Sequence, residues 1–148
     1  MLLDKKRKLG KSLEELAVGD SILLTEKIED KDLLLYLGLT NDNNPLYIQH
    51  DYAAETSFEK PVVPAIMLAG VVSSAVSKHL PGPGAYIREQ HFQYPKPLYH
   101  YDTISIELIL KEIKREQSEV IISVEGKDSK EEIVLKGTIV AVPPTHPL

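Results

Sequence analysis

Between Pro64 and Leu80 the chain reads Ala65-Ile66-Met67-Leu68-Ala69-Gly70-Val71-Val72-Ser73-Ser74-Ala75-Val76-Ser77 before the charged Lys78-His79, so it is apolar nearly all the way round. About 17 residues, with small and hydroxyl side chains inside and charge at the end, is marginal against the ~30 Å apolar core of a bilayer, and the segment reads instead as a buried core helix. Pro64 suits its first helical position, where no N–H is required, and Pro81-Gly82-Pro83-Gly84 stops it sharply. A helix that is hydrophobic on every side needs cover on every side. A strongly curved antiparallel sheet wrapped around it meets that need.

The rest of the chain supplies such a sheet. Strands are expected over 85–94, 102–114, 118–127 and 131–142, and the turns at 114–117 and 128–130 are short enough for consecutive hairpins. Ile104, Ile106, Leu108 and Leu110 alternate cleanly, so one face of the sheet is buried. Upstream, Ser12-Leu13-Glu14-Glu15-Leu16 has the form of a capped helical turn and 21–28 that of a strand. Asp30 is placed to cap a helix running to about Leu39, where Gly38 and the polar run Thr40-Asn41-Asp42-Asn43-Asn44-Pro45 end it. A second short helix fits 50–56, ending before Lys60-Pro61. The expectation is one α+β domain over 1–148, with a basic arm at 1–11 and a tail at 143–148. At 148 residues and 43% apolar content the chain is ample for a single core, which excludes a disordered protein.

With 22 acidic residues against 17 basic ones, the net charge of −5 repels phosphate backbones, so nucleic acid is not an expected partner. The cluster Lys5, Lys6, Arg7, Lys8 and Lys11 reads either as a solvated terminus or as an arm for an anionic partner such as a cofactor's phosphates. The absence of cysteine excludes disulfide scaffolds, Cys-ligated zinc and thiol catalysis. Met1-Leu2-Leu3 gives way at once to charge, so nothing directs export and no membrane segment is expected; the cytoplasm is the expected compartment. His50, His79, His91, His100 and His146 are too scattered for a metal site. Of these, His79, His100 and His146 are expected at the surface and His91 within the sheet.

An enclosed helix has one chemically useful end. At its N-terminus the free N–H groups of Ala65 and Ile66 are available to polarise a carbonyl, and the polar loop around Asp42 is positioned to fold back toward them. Asp42, Asn43 and Asn44 are equally good residues for a solvated Asx turn. Gly70, costly inside a helix, suggests a close approach by a strand, a ligand or a partner subunit.

The order Thr40-Asn41-Asp42-Asn43-Asn44-Pro45-Leu46-Tyr47, then Tyr52-Ala53-Ala54, Phe58, Pro61-Val62-Val63 and the apolar helix, resembles the MaoC-like hydratases, whose signature reads D-x-N-P-x-H. The resemblance continues through Leu80-Pro81-Gly82-Pro83-Gly84, Gln90-His91-Phe92, Pro97-Leu98-Tyr99 and Asp102. It implies a hot-dog fold, acting as a dimer, and a hydro-lyase that adds water to 2-enoyl thioesters of coenzyme A or acyl carrier protein, or removes it from 3-hydroxyacyl thioesters, in fatty acid metabolism. It implies neither a metal nor a further cofactor. Transferred position by position, Asp42 takes the aspartate's place, Asn44 and Pro45 match the signature, and Ser73 matches a serine lining the site. The helix-start N–H groups at Ala65 and Ile66 would bind the thioester oxygen. Four positions depart from the pattern: Tyr47 stands where the family has histidine, Pro64-Ala65 replaces His-Gly, and Tyr101 replaces the glycine before Asp102.

The tyrosine at 47 bears on activity. A phenol with a pKa of about 10 is protonated near neutrality, so it donates a proton or anchors water but does not serve as base, and that role falls to Asp42. Three readings follow: a hydro-lyase using Asp42 and Tyr47; an acyl-thioester-binding or structural subunit, homodimeric or paired with a catalytic hot-dog subunit; and an acyl thioesterase on the same scaffold.

Overall fold

The computed structural model describes residues 8–145. Lys5, Lys6 and Arg7 of the basic cluster, and His146, lie outside the described residues. Five strands, β1 (Ser21–Lys27), β2 (Tyr86–Gln93), β3 (Thr103–Lys114), β4 (Glu119–Lys127) and β5 (Ile133–Val142), form one sheet in the order β1-β3-β4-β5-β2. Every neighbouring pair is antiparallel. The β3–β4 hairpin turns through a short 3-10 segment closed by Ser118 in the left-handed conformation. The β4–β5 turn is held by Asp128, whose Oδ1 accepts from the N–H groups of Lys130 and Glu132.

The alternation along β3 persists as expected: Ile104, Ile106, Leu108 and Leu110 are fully buried, and Val120, Ile122 and Val124 of β4 join them. It breaks at a bulge between Leu110 and Glu112. On β5, Gly137 pairs with Phe92, and a Cβ there would overlap the His91 carbonyl oxygen. Only glycine lets β2 approach that closely.

The long helix, here α4 (Ala65–Lys78), lies on the apolar face of the sheet, where Leu68, Val72, Ala75 and Val76 share one core with β3, β4 and β5. Fully burying a side chain of this size is worth roughly 1.5–3 kcal/mol, so this contact is a main source of stability. Enclosure on every side is not what the chain achieves. Ile66 is 60% exposed, and Gly70 and Ser77 are also exposed, so one stripe of α4 is uncovered. The physical reason is that the sheet covers one side only, and glycine and serine make the remaining stripe cheap to leave in water. Among the described residues, nothing outside the adjoining turns of α4 comes within 4 Å of where a Gly70 Cβ would stand, so no described strand approaches there. Pro64 is the cap of α4 rather than its first residue, because its ψ of 134° is extended.

Three shorter helices, α1 (Asp30–Thr40), α2 (Pro45–Ile48) and α3 (His50–Ala54), connect β1 to the α4 approach. Glu29, not Asp30, caps α1, in a reciprocal box in which the Glu29 N–H donates to Asp32 Oδ2 at 2.9 Å. Asp30 instead accepts the Tyr101 hydroxyl, fastening α1 to the loop before β3. Gly38 does not end α1; Asn41 does, with φ 56°. Pro45 opens α2 rather than belonging to the loop, since the Asn44 side chain caps the helix by accepting from the Leu46 N–H at 3.0 Å.

Candidate active site

Asp42 is set by the way α1 ends. The left-handed Asn41 reverses the chain, the Thr40 hydroxyl accepts from the Asp42 N–H at 3.1 Å, and the Asp42 carboxylate swings back along the helix. There Tyr36 meets it, its hydroxyl donating to Oδ2 at 2.6 Å. Oδ1 accepts a longer bond of 3.4 Å from the Asn44 N–H, while the Asn44 side chain is spent on the α2 cap. The hydrogen bond to Asp42, with partial burial behind it, holds the Tyr36 phenol above the ordinary tyrosine range. Tyr36 is the residue that sequence reasoning missed. The one available signal was a lone aromatic in a leucine-rich helix, six positions before the aspartate.

Two cavities flank the start of α4. The first, of about 560 Å³, lies between α1 and α4, with Leu35, Tyr36, Leu39, Ile66, Gly70 and Ser74 among its lining residues. The second, of about 370 Å³, is lined by Tyr47, Ala65, Phe58, Leu68 and Tyr94, among others. The expected site residues are therefore divided: Ile66 shares the first cavity with the partner of Asp42, and Tyr47 shares the second with Ala65. Tyr47 is nonetheless close enough to Tyr36 to contribute to the rise in its pKa. Ala65 and Ile66 are the first residues of α4, ahead of the Met67 N–H, which donates to the Pro64 carbonyl at 3.0 Å. Their N–H groups thus point out of the helix end, as an oxyanion site requires.

Ser73 belongs to neither lining. Its Oγ accepts from Gln90 Nε2 of β2 at 3.0 Å, one helical repeat along the stripe that starts at Ile66. His50 is exposed at the start of α3, and among the described hydrogen bonds none joins it to Asp42. His91 lies exposed on β2 beside Glu89 at 3.6 Å. His79 is exposed and reaches the edge of the first cavity. His100 departs from expectation: both ring nitrogens are out of solvent and without a hydrogen-bond partner among the described residues. Tyr99 and Tyr101 are structural, one donating to the Phe58 carbonyl at 2.7 Å under Lys60, the other to Asp30. Asp102 Oδ1 accepts from the Thr103 N–H at 2.8 Å, which spends it on the start of β3. Among the described residues no three His, Asp or Glu converge on a metal position, and no helix is long and apolar enough to cross a membrane.

The sequence pattern of the MaoC like domain matches residues 16–133, from before β1 to the start of β5. The chain belongs to the MaoC-like domain family. It is 33% identical over 92 residues to an (R)-specific enoyl-CoA hydratase of Rhodospirillum rubrum, a stretch covering 62% of this chain and 64% of that enzyme. The match thus spans a little under two thirds of that relative's length. To an (R)-specific enoyl-CoA hydratase of Aeromonas caviae it is 26% identical over 106 residues, 72% of this chain and 79% of the relative. Among solved structures, an R-hydratase of Pseudomonas aeruginosa superposes with a TM-score of 0.86 at 25% identity, covering 94% of this chain and 89% of the other. The (R)-hydratase of A. caviae superposes with a TM-score of 0.85 at 23% identity, over 88% of this chain and 99% of that one. The fold of this MaoC-like chain is accordingly the hot-dog fold, an antiparallel five-stranded sheet with α4 as its central helix.

Proposed function

We propose that this MaoC-like chain is a hydro-lyase acting on 2-enoyl and 3-hydroxyacyl thioesters of coenzyme A or acyl carrier protein. The observation that carries the reading is a carboxylate, Asp42, one hydrogen bond from a largely apolar cavity that runs along α4 from its first turn. Its relatives of R. rubrum and A. caviae are both (R)-specific enoyl-CoA hydratases. In the hydration direction Asp42 takes a proton from water as the water oxygen bonds C3 of the enoyl thioester. The C2–C3 π pair moves toward the thioester carbonyl, whose oxygen becomes an enolate oxygen facing the Ala65 or Ile66 N–H. The enolate collapses, and the proton held by Asp42 passes to C2. Tyr47 serves as water anchor from the second cavity. The step needs a base, an oxyanion site and no further group.

The chain acts as a dimer in this proposal. Gln90 ties β2 to Ser73, so the uncovered stripe of α4 adjoins an outermost strand of the sheet, and a second copy has one continuous surface on which to seat.

A second reading has its own observation. Tyr47 occupies the histidine position, which suits a partner-dependent acyl-thioester-binding subunit. Incubation with crotonyl-CoA and longer trans-2-enoyl-CoAs, following loss of enoyl thioester absorbance, separates the two. Loss of signal that falls by about 10²-fold or more in Asp42→Asn supports the hydro-lyase. No turnover at any chain length, in folded dimer, favours the subunit. Release of free thiol instead identifies a thioesterase.

A further inference from the structure

We propose that Tyr36 is the positioning residue for Asp42, supplying from α1 the hydrogen bond that orients the catalytic carboxylate in a chain whose motif position for histidine holds Tyr47. The inference rests on the hydro-lyase reading and deepens it. A carboxylate that accepts a proton from water and returns it to carbon must present one oxygen in a fixed direction, and a free aspartate side chain rotates. In this chain Oδ2 is fixed by the Tyr36 hydroxyl at 2.6 Å, a distance typical of a charge-assisted bond. Among the described residues Oδ1 carries only the long 3.4 Å bond from the Asn44 N–H, which leaves a lone pair for water.

The support for Tyr36 is itself built. Its carbonyl accepts the Thr40 hydroxyl at 2.8 Å, and that same hydroxyl accepts from the Asp42 N–H, so a single threonine ties the backbone of donor and acceptor together. Tyr36 and Thr40 both line the cavity that Ile66 shares, but Thr40 binds the Asp42 backbone N–H, whereas Tyr36 binds the carboxylate itself. Tyr47 lines the other cavity and has no hydrogen bond to Asp42, so it does not do this job. No proton leaves Tyr36 in the reaction; its phenol stays neutral and donates throughout.

The test uses the full chain and the enoyl-CoA assay with Tyr36→Phe, Asp42→Asn and the double variant. Phenylalanine keeps the ring in its half-buried place, and circular dichroism with a thermal melt checks that the fold is retained. The expected result for Tyr36→Phe is a fall in kcat of about 10- to 100-fold with KM changed by less than about threefold. The double variant is no slower than Asp42→Asn alone, since the tyrosine acts only through the carboxylate. Full kcat in Tyr36→Phe with Asp42→Asn inactive, or a double variant slower than Asp42→Asn alone, overturns the assignment and leaves the hydro-lyase reading standing. No Asp42-dependent turnover in the unsubstituted protein overturns the hydro-lyase reading, and the assignment with it.

Discussion

Position 47 is where a single side chain most divides the readings. Its neighbours in the second cavity include Leu46, Phe58, Val62, Ala65 and Leu68, and the one charged group of the lining, Lys96, is paired with Glu132 at 2.9 Å. An imidazole titrates near neutrality and a phenol near 10, so Tyr47→His places a group of useful basicity one residue beyond the Pro45-Leu46 of the signature. The expected outcome is a rise in kcat at neutral pH of about tenfold or more, measured with the same enoyl-CoAs. An unchanged rate would mean that position 47 does not address the reacting carbons in this chain. Asp42, Asn44 and Pro45 stand out as candidates by their order alone, and Asn44 is a helix cap as well as a motif residue. Tyr36 was not legible, because its meeting with Asp42 depends on Asn41 adopting the left-handed conformation, a choice asparagine tolerates but does not announce.

Elements were readable where the pattern is local. β3 and β4 carry their alternation within their own residues, and their hairpins follow from short turns, so strand ends fell within a residue or two of expectation. The cap of α1 was misplaced by one residue because Asp30 is an equally good cap chemically; Tyr101 decided the matter by binding it. Tyr101 pays for that role. It stands at φ 66° where the family pattern has glycine, and its N–H donation to the Ile28 carbonyl at 2.8 Å helps hold the turn. The Asp30 hydrogen bond, foremost, and some burial raise the Tyr101 phenol above its ordinary value. A raised folded value favours the neutral phenol, so the contribution to stability is complete below about pH 10 and is lost as pH rises through the folded value. Urea midpoints of wild type and Tyr101→Phe should therefore differ by a constant amount near neutrality and converge in strongly alkaline buffer; a gap that persists there refutes the assignment. At β5, Gly137→Ala should cost about 1–3 kcal/mol, as overpacking does, because the new methyl meets the backbone carbonyl of His91 rather than a flexible side chain. The measurement is the same denaturation midpoint, and a neutral substitution would show that β2 can move away from β5 at no cost.

For the whole molecule, the consequential surprise is that α4 is not enclosed. An apolar helix demands cover on all sides, and one chain provides a sheet on one side, leaving an exposed stripe in which Ile66 and Gly70 wall the cavity toward α1 and Ser77 meets solvent. The demand can still be met, by a second copy seated against the stripe and the β2 edge that Gln90 joins to it. Gly70 makes this testable without damaging the protomer. Among the described residues its Cβ position is empty to 4 Å outside the helix's own turns, so a Cβ there meets no other element, and leaving glycine raises helix propensity by up to about 1 kcal/mol. Gly70→Arg should consequently fold, yet set a long cation in the path of any partner helix. Light scattering behind size exclusion should report about twice the 16.5 kDa chain mass for the native protein and a mass near that of one chain for the variant, with the circular dichroism spectrum unchanged. A variant that remains fully dimeric would place the subunit contact elsewhere on the sheet, and would leave the open stripe of α4 as the wall of the substrate cavity alone.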